Sequence, residues 1–215
     1  MSDHRSLLQI KTAIEHPLGW MVKGFEGQCR RRKKKRCILN NNSKNLARTA
    51  MMIAVTAALS QVALPIPPVP LTLQTAAVIL TAIILGPGRG AAAMLGYILL
   101  GCLGVPVFAQ FKAGPGVLLG PTGGFLYGFV AAAFIIGFLL RHEKTRTLKR
   151  AFPAVAAGIA VIYLFGVVHF AFVMGISISA AFKTAALPFL PLEALKIIVF
   201  TPVALRVKKS LSALS

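Results

Sequence analysis

The chain has 215 residues, 56% of them apolar before its 19 glycines are counted, and only 13% charged. Glycine lifts the apolar share to about 65%, against ~45–50% in soluble globular chains, which excludes an ordinary water-soluble domain and makes lipid the main solvent. The formal charge of +19, from 24 Lys+Arg against 5 Asp+Glu, would elsewhere point to nucleic acid, but twelve of the basic residues precede position 49 and most others lie in short tracts between apolar stretches, the pattern of membrane flanks.

Residues 1–47 read as a basic cytoplasmic extension without predicted order. It carries the run Arg30-Arg31-Arg32-Lys33-Lys34-Lys35-Arg36 and then Asn40-Asn41-Asn42-Ser43. A secretory signal needs an apolar core of about 7–15 residues directly after a few charges, and none is found here. Beside a membrane segment the basic run is expected at the anionic cytoplasmic leaflet. A nucleic-acid arm, or an extension with no role, are the other readings, and no nucleic-acid partner is predicted. Cys29, Cys37 and Cys102 are odd in number and form no CxxC pair, so neither a disulfide framework nor a metal site is expected.

Residues 48–215 read as an all-α, polytopic membrane domain of six helices, with spans at 46–64, 72–86, 90–104, 122–140, 152–176 and 191–207 set apart by Pro/Gly clusters or charge tracts. The second and third reach only about 22 Å as helices, so a re-entrant hairpin around Gly86-Pro87-Gly88-Arg89-Gly90 is open beside two full crossings. With the N-terminus inside, the cytoplasmic side collects 21 of the 24 basic residues and only Lys112, Lys183 and Lys196 fall outside. That split supports an even number of crossings, both termini inside, in the cytoplasmic membrane.

The outer connections hold nine of the 13 prolines: Pro65, Pro67, Pro68, Pro70, Pro106, Pro115, Pro121, Pro188 and Pro191. Proline fixes its own φ and restrains the preceding residue, so these loops lose little entropy on ordering around something, although prolines also simply end helices. The segment 105–121 exceeds what a plain link needs and is rich in apolar residues, including Val107, Phe108 and Leu118. It is expected to fold over the outer mouth of the bundle.

Ionisable groups in lipid are costly and point to function. Glu193 and Lys196 stand three positions apart on one face of the last span, offering an acceptor and a donor to a neutral polar group such as a urea or amide. The alternative is a self-neutralising interfacial pair with Lys196 turned outward. Lys112 on the long loop would suit a carboxylate, or else does nothing there. Gln74 needs a hydrogen-bond partner, a ligand or another helix. Tyr97, Tyr127, Tyr163, Phe108 and Phe125 are candidate walls of an apolar pocket, and His169 reads as a hydrogen-bonded core residue. Two stripes, Ala50/Ala54/Ala58 and Gly120/Gly124/Gly128, predict close helix contact, the first within this chain or against a partner protein.

No GxxxxGK[ST], HExxH or GxSxG pattern occurs, and five acidic residues supply almost no acid–base material. An enzyme is therefore not expected, and no cofactor or metal is implied.

Taken together, PLTLQT at 70–75, LGPGRGA at 85–91, GVPVFA at 104–109, LLGPTGGFLYGF at 118–129 and LPFLPLEALK at 187–196 resemble the BioY family, the biotin-binding S components of energy-coupling-factor transporters. The resemblance covers about residues 46–207 and leaves the extension 1–45 outside. It implies a biotin pocket near the outer face, closed by the connection between the third and fourth spans. It also implies partners, a transmembrane coupling subunit and cytosolic ATPases, with Ala50, Ala54 and Ala58 implicated in docking.

The family's last-helix motif usually has PGD and then Lys three positions later. Here it reads Pro191-Leu192-Glu193 and then Lys196, with an acid one methylene longer. Lys112 falls where the family places a polar ligand contact, and Phe125 where Tyr is common. On this basis Glu193 and Lys196 are expected at the ureido end of biotin, and Lys112 nearer its carboxylate, with Gln74, Tyr97, Phe108 and Phe125 completing the site. An S component for another vitamin, and an assembly subunit without ligand, are the rival readings. Whether the subunit works alone, as a homo-oligomer or only with an ATPase module is left open.

Overall fold

Each of the six predicted spans is largely helical, the first ending in a short strand at Ala63–Leu64. The structure, a computed structural model, describes residues 42–64, 70–141 and 148–213. The chain divides into two units, Met1–Ala47 and Arg48–Ser215. The basic run at 30–36 lies outside the described residues, and so do the expectations attached to it.

Helix α1 covers 42–61. Then come strands β1 (Ala63–Leu64) and β2 (Leu71–Thr72), helices α2 (Gln74–Leu85), α3 (Pro87–Cys102), the single turn α4 (Gly116–Leu119), α5 (Gly123–Leu139), α6 (Leu148–Met174), α7 (Ile178–Ala185) and α8 (Leu190–Ala213). Two elements were not expected from the sequence. One is the antiparallel pair β1–β2, with Ala63 opposite Thr72 and Leu64 opposite Leu71. The other is α7, capped by the Ser177 hydroxyl, which accepts from the Ala180 N–H at 3.3 Å. Both come from segments too short to show a periodicity.

α2 and α3 meet at one residue. Gly86 has φ +80°, a conformation that costs a residue with a side chain dearly, and Pro87 starts α3 at the position where its missing N–H is harmless. That is why α3 begins three residues earlier than expected. α5 and α6 pack through glycines, as the 120/124/128 stripe predicted. A Cβ on Gly128 would lie 2.8 Å from the Ile162 Cα, and one on Gly124 would overlap His169. Gly128→Ala should therefore lower stability by about 1–3 kcal/mol through overpacking, read as a depressed thermal midpoint of the detergent-solubilised protein.

The interior has two parts. Ile79, Ile83, Met94, Tyr97, Leu126 and Phe129, with neighbours from α6, form the larger core, and Leu71, Phe170, Ala181, Ala185 and Phe189 form a smaller one beside α7. Phe125 and Tyr163 border both. The outward faces are apolar too: Leu99, Phe134, Phe138, Leu164, Ile198 and Phe172, the last 86% accessible. In water such surface would be a liability; in a membrane it is the expected exterior. The stretches Leu148–Met174 and Ile178–Leu211 are long and apolar enough to cross a membrane, while Gln74–Leu85 and Gly123–Leu139 are apolar but shorter.

Candidate functional site

A cleft lies where the two cores meet. It is open at one side, and about 750 Å³ of non-atom space, open solvent included, falls within it. Its walls are largely apolar, from Leu71, Phe108, Phe125, Ile162, Tyr163 and Phe189. Two aromatic walls rest on glycines: a Cβ on Gly101 would overlap the Phe108 ring, and one on Gly166 would overlap the Phe125 ring. Phe125 and Tyr163 meet edge to face, centroids 5.9 Å apart.

The polar end is built from the start of α8 and the corner between β2 and α2. Pro191 opens α8, and one turn brings Glu193 and Lys196 to the same face, where they are only 4% and 5% exposed. Pairing with β1 sets the backbone of Leu71–Thr72, so that the Thr72 carbonyl reaches α8. Lys196 Nζ then donates to Thr72 O at 2.6 Å, Thr75 Oγ1 at 3.1 Å and Glu193 Oε1 at 2.7 Å. Those three bonds engage all three hydrogens of an ammonium.

The carboxylate is half satisfied. Glu193 Oε1 also accepts from Thr75 Oγ1 at 3.0 Å, whereas Oε2 is buried without a partner among the described residues and its side chain lines the cleft. An unpaired buried acceptor costs about 1–3 kcal/mol, more when charged, so this oxygen is suited to a ligand N–H. Because Lys196 neutralises Glu193, the group that binds there need not carry charge. Chemically the cleft offers an acceptor at one end, an apolar middle, and Lys112 exposed at its mouth.

A second polar thread fixes the roof. Thr72 Oγ1 donates to Gln74 Oε1 at 3.1 Å, Gln74 Nε2 to Tyr97 Oη at 2.7 Å, and Tyr97 Oη to Val107 O at 2.9 Å. Val107 belongs to the connection 103–122, which folds over the cleft as a lid. The lid turns Val107, Phe108 and Leu118 inward and leaves Val105, Phe111 and Leu119 outside.

The expected site residues thus separate. Glu193, Gln74, Phe108, Phe125 and Lys112 line one cleft. Tyr97 is wholly buried behind Gln74 and holds the lid. Lys196 lies behind Glu193, outside the lining, with its hydrogens directed to protein. Of the three tyrosines considered as walls only Tyr163 serves. Tyr127 is on an outward face beside His169, whose Nε2 lies 3.1 Å from Gly120 O. Ala50, Ala54 and Ala58 are exposed along α1, while Met52, Thr56 and Ser60 on its other face are buried. Thr72, Thr75, Thr122 and Phe189 were missed; the signal for the first two was their place on either side of Gln74 in PLTLQT.

Known proteins carry the same plan. A crystal structure of the S-component for biotin from an ECF-type ABC transporter superposes with a TM-score of 0.74 at 26% identity, covering 79% of this chain and 93% of that one. The biotin transporter BioY of Thermotoga maritima is 38% identical over 166 residues, which is 77% of this chain and 96% of that protein. A probable biotin transporter BioY of Pyrococcus horikoshii is 40% identical over 148 residues, 69% of this chain and 86% of the relative. These relatives are membrane transporters, not enzymes, and this chain is a membrane protein like them. The model of the BioY family matches residues 31–213, so the match begins within the basic run, upstream of the start expected from the motifs. Since the family model covers most of the chain and the Thermotoga maritima relative is spanned almost completely at 38% identity, the protein belongs to the BioY family.

Proposed function

We propose that this chain binds biotin and serves its uptake as the S component of an ECF-type transporter. One observation supports the reading most directly: Glu193 Oε2, buried and without a partner among the described residues, in the wall of a largely apolar cleft. Biotin has a neutral ureido ring with N–H donors, an apolar thiophane and valerate stem, and one carboxylate. The ureido N–H fits Glu193 Oε2. The ureido carbonyl fits the second amide hydrogen of Gln74 or the Tyr163 hydroxyl, both at the same cleft. The stem fits Phe108, Phe125 and Ile162, and the carboxylate fits Lys112 at the mouth.

The charge distribution supports six crossings in the cytoplasmic membrane with both termini inside. In that orientation the cleft opens to the outside. The exposed Ala50/Ala54/Ala58 face allows the close helix approach that a transmembrane coupling subunit requires, and cytosolic ATPases acting through that subunit supply the energy.

The test is labelled-biotin binding by the purified chain, competed with thiamine and riboflavin. Biotin alone should compete, and at 100 times its Kd it should add about 2.7 kcal/mol to the native state. Displacement by another vitamin, or no stabilisation by any, sinks the reading. Lys112→Ala should weaken biotin about fivefold to tenfold and leave uncharged biotin amide unaffected. An equal loss for both would remove Lys112 from the carboxylate end.

A further inference from the structure

Gln61, in the last turn of α1, holds the lid with both ends of its amide. Its Oε1 accepts from the Phe111 N–H at 3.0 Å. Its Nε2 lies 3.2 Å from Phe108 O and 3.3 Å from Pro106 O in the lid, and 3.0 Å from Ser60 Oγ and 3.4 Å from Ala57 O in its own helix, so its two hydrogens are shared between α1 and the lid. The buried hydroxyl of Ser60 has one hydrogen to divide between Val107 O at 2.5 Å, the carbonyl that also accepts from Tyr97, and Ala57 O at 2.6 Å within α1.

The segment held in this way is the strained part of the lid. Gln110 and Phe111 have φ of 61° and 57°, left-handed conformations that residues with a side chain adopt only where the surroundings impose them. Burial does not impose this one, since the Phe111 ring is 70% exposed. Within the turn, Phe108 N donates to Lys112 O at 3.1 Å. The turn seats the Phe108 ring on Gly101 and brings Lys112 to the mouth. The bonds from α1 therefore help to keep two cleft-lining residues in place, beside the Tyr97 bond to Val107 O and the Gly114 N bond to Gly101 O.

We propose that Gln61, assisted by Ser60, is a positioning residue that latches the lid shut and so sets how long the ligand stays bound. The proposal rests on the reading of the cleft as a biotin site. Ser60 is on the buried side of α1 and the alanine stripe on its exposed side, so a displacement of this one helix is passed to the lid.

The full-length protein, purified in detergent, loaded with labelled biotin and chased with unlabelled biotin, tests the latch. Gln61→Ala should release label about tenfold or more faster than wild type, with a smaller change in association rate. Gln61→Glu, which keeps the acceptor for Phe111 but sets a carboxylate against two carbonyls, should also release faster. Thr56→Val removes a buried bond wholly within α1, from Thr56 Oγ1 to Met52 O at 2.8 Å, and should stay within twofold of wild type. An unchanged release rate in both Gln61 variants, or equal acceleration in Thr56→Val, overturns the latch. Without any ligand, the Phe111 amide of the wild type should resist hydrogen exchange despite its exposed position. Rapid exchange there overturns the latch whatever the variants do. A wild type that holds no biotin instead overturns the binding reading, and the latch with it.

Discussion

Replacing Glu193 by alanine should reduce biotin affinity by about 30-fold to several thousand-fold, because truncating one member of a buried hydrogen-bonded charge pair costs about 2–5 kcal/mol. Two losses combine: the acceptor facing the cleft disappears, and the Lys196 ammonium is left buried with only Thr72 O and Thr75 Oγ1. Glu193→Gln separates them. An amide has one acceptor oxygen where the carboxylate has two, so if the oxygen stays on Lys196 the NH₂ faces the ligand's N–H. If the amide turns round, the NH₂ faces Lys196. Either way one contact becomes a donor against a donor, and biotin binding should fall nearly as far as with alanine, with much less loss of helix packing. An affinity within threefold of wild type in a folded Glu193→Gln protein would remove the carboxylate from the ureido site.

Lys196→Met should destabilise the protein by about 3–5 kcal/mol, since it strands the Glu193 carboxylate in the interior. The double variant Glu193→Gln/Lys196→Met removes both charges, and replacing a whole buried pair is far milder than breaking it. The expected thermal midpoint of the double variant lies above that of Lys196→Met, while biotin binding stays lost because the acceptor at the cleft is still missing. That outcome would divide the labour inside the pair, with Lys196 orienting Glu193 and tying the β2–α2 corner to α8, and Glu193 meeting the ligand. A Lys196→Met protein as stable as wild type but unable to bind biotin would show instead that the ammonium contacts the ligand directly.

Much of the helical plan was legible because its signals are local. Pro87 after Gly86 marks a hinge whatever surrounds it, and the glycines at 124 and 128 announce a close neighbour from their spacing alone. Glu193 and Lys196 could be placed on one face because helix geometry puts residues three apart side by side. Their burial was one of two readings, the other being an interfacial pair with Lys196 turned outward, and both side chains are buried. The PLTLQT motif pointed to Gln74, but Thr75 in the same motif carries the carboxylate bond, and nothing local distinguishes the two.

Direction is where local signals end. Tyr127 and Tyr163 are both aromatic residues in long apolar helices, yet one is on an outward face and the other walls the cleft, because what decides is which side of each helix meets the rest of the bundle. Composition, charge bias and residue spacing were enough to point to a helical membrane protein with Glu193 and Lys196 on one helix face, since each depends on residues close together in the chain or on side-chain solvation. Which oxygen of Glu193 stays open, where the Lys196 hydrogens go, and how Gln61 grips a lid about 50 residues away depend on contacts between segments that are remote in sequence, and chain packing alone decides them.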